Sequence, residues 1–225
     1  MRKANINDFG EVYSAYAAGC LDPAFALLVE TQAAIKPEVS RAIARAETIA
    51  GIMFESEGCE AMSEDALDDA LSIIDAHEAR PQMQERGAKQ ACAALDELLA
   101  LPDPLRDHAI DAAGNGGWKN LKTGIRRLQL DIGSDAEVEL YRIEPGATVP
   151  THKHKGDEFT LVISGAFSDG EGRYGPGDLC VKGEHDVHQP TGADEGVCFA
   201  LAVHEGGLRF TGVLGVVQRL VGQDL

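Results

Sequence analysis

The chain has 225 residues, 44% apolar and 25% charged, with 37 acidic against 20 basic side chains and a formal net charge of −17. That length suits one large domain or two small ones, each able to bury a core. The acidic balance weighs against direct nucleic-acid binding, which needs a basic face for the phosphates, and fits either plain solubility or a protein that covers a basic, DNA-binding partner. No run approaches the ~18 consecutive apolar residues of a membrane span, and "MRKANINDFGEVYSAYAAG" lacks the apolar core of a secretory signal, so a cytoplasmic location is expected. Five scattered cysteines, Cys20, Cys59, Cys92, Cys180 and Cys198, include no CxxC pair. Their odd number reads as reduced thiols rather than a disulfide framework.

Residues 1–100 read as helices. Apolar residues recur at three- and four-residue steps, as in Phe25, Leu28, Val29 and again Ile43, Ala46, Ile49, Ala50, Met53. Gly19 suits a helix end, Asp22 followed by Pro23 an N-cap with proline at the first helical position. Pro37 opens the next helix, with Glu38 favourable beside its N-terminus. After the break at "SEGCEAMSEDA", Ser63 caps a run through Ala66, Leu67, Ala70, Leu71 and Ile74. Pro81 interrupts again, and "KQACAALDELLAL" closes a half of four or five helices. Met53 and Phe54 read as core or, equally, as a partner groove. "LPDPLRDHAIDAAGNGGWKN" (101–120), with Pro and Gly near its ends, reads as a linker, and Trp118 within it as packing.

From residue 121 the period changes. "IRRLQLDI", "AEVELYRI", "FTLVISGAFSD", "DLCVKG", "VCFALAVH" and "LGVVQRLV" are strand candidates, separated by turn sequences such as "EPGA", "SDGEG", "YGPGD" and "TGADEG". Short strands at this spacing predict a small barrel or sandwich. The chain is thus α+β in two domains: an all-α helical bundle over 1–100, a linker over 101–120 and an all-β domain over 121–225.

Chemistry concentrates in "VPTHKHKGDEFTLVISGAF" (149–167). Alternate strand residues share a face, so His152 and His154 can present two imidazoles to one ion, and Glu158 at the next strand start can add an oxygen. "GEHDVHQP" supplies His185 and His188 as candidates for a fourth ligand. Three neutral imidazoles and a carboxylate suit Zn²⁺, and also Fe, Mn, Co or Ni.

"PGATVPTHKHKGDEFTLVISGAFSDGEGRYGPGDLCVKGEHDVHQP" resembles the two motifs of a cupin, a jelly-roll barrel. Gly146, His152, His154, Glu158 and Gly165 match the first motif; Pro176, Gly177, Asp178 and His188 match the second. The "HQP" context favours His188 over His185 as the ligand and leaves His185 near the site. The subgroup it resembles is the ChrR-like anti-sigma factors, in which a helical domain that binds an extracytoplasmic-function (ECF, group IV) sigma factor is joined to a C-terminal cupin. "YAAGCLDPAFALLVETQAAIKPEVSRAIARAETIAGIMFE" resembles that helical domain. The resemblance implies sequestration of a sigma factor, one zinc ion in the cupin, and sensing of an oxidative signal, notably singlet oxygen.

The chain departs from the family pattern in the helical half. The zinc-motif positions are Gln32, Lys36 and Val39, and no histidine precedes His77, so no metal is expected there. Gln32 and Lys36, four apart, can hydrogen-bond, and Val39 can pack. In the cupin, Cys198 is retained near the site and Ala200 replaces a second cysteine. Cys198 reads as a buried strand cysteine or a redox thiol, and His77, His108 and His204 receive no role. No catalytic residue is assigned. Two other readings stand beside the regulator: a metal-dependent cupin enzyme of dioxygenase or isomerase type, and a structural, metal-pinned cupin whose helical half serves homodimerisation or an unknown partner.

Overall fold

The computed structural model describes residues 10–58, 61–78, 91–204 and 208–210, with residues 76–78, 91–94, 154 and 208–210 described by backbone alone. The helices are α1 (Gly10–Ala17), α2 (Pro23–Ile35), α3 (Pro37–Glu55), α4 (Ala66–Glu78), α5 (Ala91–Leu99) and α6 (Asp103–Asn115). Asp22 caps α2, its carboxylate accepting the Ala24 N–H at 2.9 Å. Lys36 alone separates α2 from α3. Its backbone is extended at φ −114° and ψ 107°, because Pro37 pushes the residue before it out of the helical region. Val39 packs with Tyr13, Val29 and Ile43 in a small core between α1, α2 and α3.

Residues 101–120 differ from the linker expectation. They carry α6 and the start of the first strand, β1 (Lys119–Lys122). The prolines there do not break the chain: Pro104 lies in the first turn of α6, where its missing N–H costs nothing. Leu105 and Ala109, one turn apart, are fully buried, and this stripe packs α6 against α2 and the sheet. Trp118 lies edge-on to Phe199, ring centroids 6.4 Å apart.

The remaining strands are β2 (Ile125–Leu130), β3 (Glu137–Ile143), β4 (His152–His154), β5 (Glu158–Ser164), β6 (Phe167–Ser168), β7 (Arg173–Tyr174), β8 (Leu179–Lys182), β9 (Val187–His188), β10 (Thr191–Gly192), β11 (Cys198–His204) and β12 (Leu208–Phe210). A six-stranded antiparallel sheet runs β1-β2-β3-β11-β5-β8, and two three-stranded sheets run β10-β6-β7 and β12-β4-β9. This is the jelly-roll expected. The candidate strand "LGVVQRLV" lies outside the described residues.

Alternation along the large sheet divides two cores. Leu128, Leu140, Leu161, Leu201 and Val203 face outward onto α2 and α6, while Tyr141, Ile143, Val162, Ala200 and Ala202 fill the barrel. The helical half therefore rests on the outer face of the cupin sheet. Phe25 of α2 meets Phe159 of β5 edge-on at 5.3 Å, and Arg142 of β3 donates two hydrogen bonds of 2.8 Å to Glu97 of α5. Gly165, at φ +66°, has no room for a side chain: a Cβ there would lie 2.3 Å from the Val197 carbonyl oxygen.

Not every expected core residue is inside. On α3 only Val39 and Ile43 are buried; Met53 is 66% and Phe54 81% exposed, with Ile49 and Ile52 beside them. Leu67, Ile73 and Ile74 of α4 are exposed as well. No described helix is long and apolar enough to cross a membrane.

Candidate metal centre

Strand pairing brings the candidate ligands together. In the β4–β9 ladder His152 stands directly opposite His188, and Glu158 opens β5 on the facing sheet. All three are buried, and their ligand atoms lie within 4.8 Å of one another. The Nε2 atoms of His152 and His188 approach to 2.9 Å, and Glu158 Oε1 stands 3.9 Å from His188 Nε2.

Neighbouring polar groups set the chemistry of these atoms. The His152 Nδ1 lies 2.8 Å from the Pro150 carbonyl oxygen; a carbonyl only accepts, so Nδ1 carries the proton and Nε2 offers its lone pair. Two imidazole nitrogens this close need a cation or a shared proton between them. Thr160 donates to Glu158 Oε1 at 2.7 Å, orienting the carboxylate. The donor set fits a divalent metal.

His154 follows on β4 with the same-face spacing to His152; its side chain is outside the described residues. His185 is exposed in the β8–β9 turn, apart from this group. Cys198 is fully buried one inward step beyond Ala200, and burial pushes its thiol up to about 12.

Two features escaped sequence reading. Behind His188 lies Asp169, whose carboxylate accepts the N–H groups of Glu171 and Gly172 and pairs with Lys182 at 2.8 Å. Asp169 Oδ2 lies 3.9 Å from His188 Nδ1. Burial would raise the Asp169 pKa, but Lys182 and the two backbone donors hold it below the ordinary value. Asp169, Cys180 and His188 have metal-like spacing, yet the Lys182 ammonium already occupies the cationic role there. The sequence signal was only "SDGEG", which reads as a turn.

The second is His204, 1% exposed at the end of β11. It stands 3.6 Å from both Glu137 and Glu139 and opposite Glu158 in the β11–β5 register. Burial opposes its protonation, but Glu139, Glu158 and Glu137 raise its pKa. The alternation Cys198, Ala200, Ala202, His204 was the signal that could have placed it inside.

The barrel cavity against the donors is walled by Tyr141, Ile143, Val149, Phe167, Ala200 and Ala202 and measures about 40 Å³. Small-molecule sites usually measure ~300–1,000 Å³.

The fold agrees with the comparisons. Residues 107–206 match the ChrR cupin-like domain. Over 202 residues the chain is 32% identical to the anti-sigma-E factor ChrR of Cereibacter sphaeroides, covering 89% of this chain and 90% of that one. The chain belongs to the ChrR family of anti-sigma factors. It also resembles the crystal structure of Rhodobacter sphaeroides SigE in complex with the anti-sigma ChrR, with a TM-score of 0.65, 27% identity, and 87% and 96% of the two chains covered. ChrR membership spans both the helical half and the cupin, and places the protein among regulators rather than enzymes.

Proposed function

We propose that the helical half sequesters an ECF sigma factor and that the cupin binds one zinc ion through His152, His154, Glu158 and His188 and senses oxidative stress. The observation that carries the first part is the apolar surface left open on α3 and α4. Ile49, Ile52, Met53 and Phe54 are each exposed on α3, and an open groove of about 570 Å³ is lined by Met53 and Phe54 and edged by Glu47 and Glu57. An uncovered apolar patch with an acidic rim suits a protein partner that is apolar at its centre and basic around it. The chain's net charge of −17 complements the basic surfaces with which a sigma factor meets promoter DNA. A cytoplasmic location follows, since that is where RNA polymerase works.

In the cupin, His152 and His188 would bind through Nε2 and Glu158 through a carboxylate oxygen, with the Pro150 carbonyl orienting His152 and Thr160 orienting Glu158. A bound zinc ion supplies a redox-inert centre of charge that locks the ligand side chains together. Histidine is oxidisable, and an oxidised ligand binds metal poorly, so damage to the donor set is the sensing event in this reading. The small cavity beside the donors disfavours the enzyme alternative.

The test is promoter-specific transcription with a group IV sigma factor from the same genome. The full-length chain at equimolar ratio should block it, and Phe54→Glu should relieve the block at least tenfold. Absence of inhibition by the unmodified chain would refute sequestration. Elemental analysis tests the metal separately: about one zinc per chain, lost in His188→Ala and kept in His185→Ala.

A further inference from the structure

Lys36 and Gln32 lie one turn apart at the end of α2, and both reach across to the Pro176–Asp178 turn of the cupin. Lys36 Nζ pairs with Asp178 Oδ1 at 2.8 Å, and Gln32 Nε2 donates to the Gly177 carbonyl oxygen at 3.0 Å. The contact is close: a Cβ on Gly177 would lie 2.6 to 3.0 Å from three carbons of the Lys36 side chain. Gly177 is at φ +77°, so the turn can present its carbonyl and let the lysine stem pass directly over it. The second oxygen of Asp178 accepts the Gly175 N–H at 2.9 Å, a bond within the turn that orients the carboxylate facing Lys36.

We infer that this clamp on the Pro176–Asp178 turn, together with Phe25 on Phe159, couples the cupin's metal donors to the partner-binding face of α3. The turn leads into β8, which pairs with β5 so that Lys182 stands opposite Glu158. On β5, Glu158 is buried beside the candidate metal donors, and its neighbour Phe159 meets Phe25 of α2. Two adjacent residues of one strand thus face the donor cluster and the helical half. On the other side, Lys36 is the single residue between α2 and α3, and α3 carries Ile49, Ile52, Met53 and Phe54. The clamp grips the joint between the two helices, so a change in the β5–β8 pair shifts the base of α3. A two-state element biased from two sites is the physical requirement for coupling.

This inference rests on the proposed metal and partner roles, but its test needs no sigma factor. Hydrogen exchange is followed on the purified full-length chain, zinc-loaded and after chelation. Zinc removal should speed exchange in α2 and α3 on the order of tenfold, within the roughly 5–150-fold range of typical couplings. In Gln32→Leu/Lys36→Met the same amides should exchange fast with or without zinc. Linkage is reciprocal, so the zinc Kd of that variant should weaken by a similar factor, while Lys36→Arg, which keeps the ion pair, should behave as the parent. Exchange in α2 and α3 that ignores zinc in the parent, or a double variant that responds like the parent, would overturn the inference. Failure to inhibit transcription with this coupling intact would instead refute sequestration alone.

Discussion

Lys182 and Asp169 form a buried ion pair of 2.8 Å, their side chains 1% and 0% exposed. Glu171 accepts a second bond from the same ammonium at 2.6 Å. Removing one partner of such a pair leaves a charge stranded in a low-dielectric interior. Lys182→Met should therefore destabilise the fold by about 3–5 kcal/mol, read from urea unfolding. Lys182→Met/Asp169→Asn should recover part of that loss, because neither charge is left alone. A single variant as stable as the parent would mean that the pair is solvated.

The glycine of the second motif has a separate cost. Gly177→Ala places a side chain at positive φ, costing roughly 1–2 kcal/mol, and displaces the Lys36 stem. We expect a loss of about 2–3 kcal/mol in all. Gly170→Ala, also at positive φ but with open space around it, should lose only the backbone part. The two variants compared by thermal unfolding separate the contact from the conformation.

Acid should loosen the seam between α5 and the sheet. The bonds from Arg142, resisted in part by burial, hold the Glu97 carboxyl below its ordinary value of 4.5. A depressed carboxylate contributes stability that is present above the unfolded value and lost as pH falls through the folded one. Arg142→Gln should cost about 1 kcal/mol near neutrality for this partly exposed pair. That difference should shrink as pH drops below 4.5. A gap that stays constant down to strongly acid pH would rule the pair out as its source.

Thiol chemistry gives a direct check on Cys198. Burial pushes both Cys180 and Cys198 up to about 12, whereas Cys20 is exposed. Alkylation at neutral pH, followed by peptide mass analysis, should modify Cys20 in the native chain and reach Cys180 and Cys198 only in denaturant. Rapid native labelling of Cys198 would restore the redox-thiol reading.

Much of the architecture was legible in local patterns, because each rests on short-range rules. Asp22-Pro23 marked a helix start, the change from three-and-four spacing to alternation marked the start of the sheet, and HxH with a spaced glutamate marked the candidate donors. Pro-rich "LPDPLRD" misled, because the same residue that ends a helix also opens one. Ile49, Met53 and Phe54 have the spacing of a core face, and only the positions of the neighbouring helices show that nothing in the described chain covers them.

The sequence by itself determined the element types, the cupin motifs and His152, His154, Glu158 and His188 as candidate donors. Each is written in residues a few positions apart, through period, turn chemistry or alternation. Tertiary structure alone decided that His188 faces His152, that Asp169 stands behind it, that His204 joins three glutamates, and that Gln32 and Lys36 grip a turn more than 140 residues away. Those pairings come from strand register and domain packing, which depend on all the buried surface at once and leave no mark in any single stretch of chain.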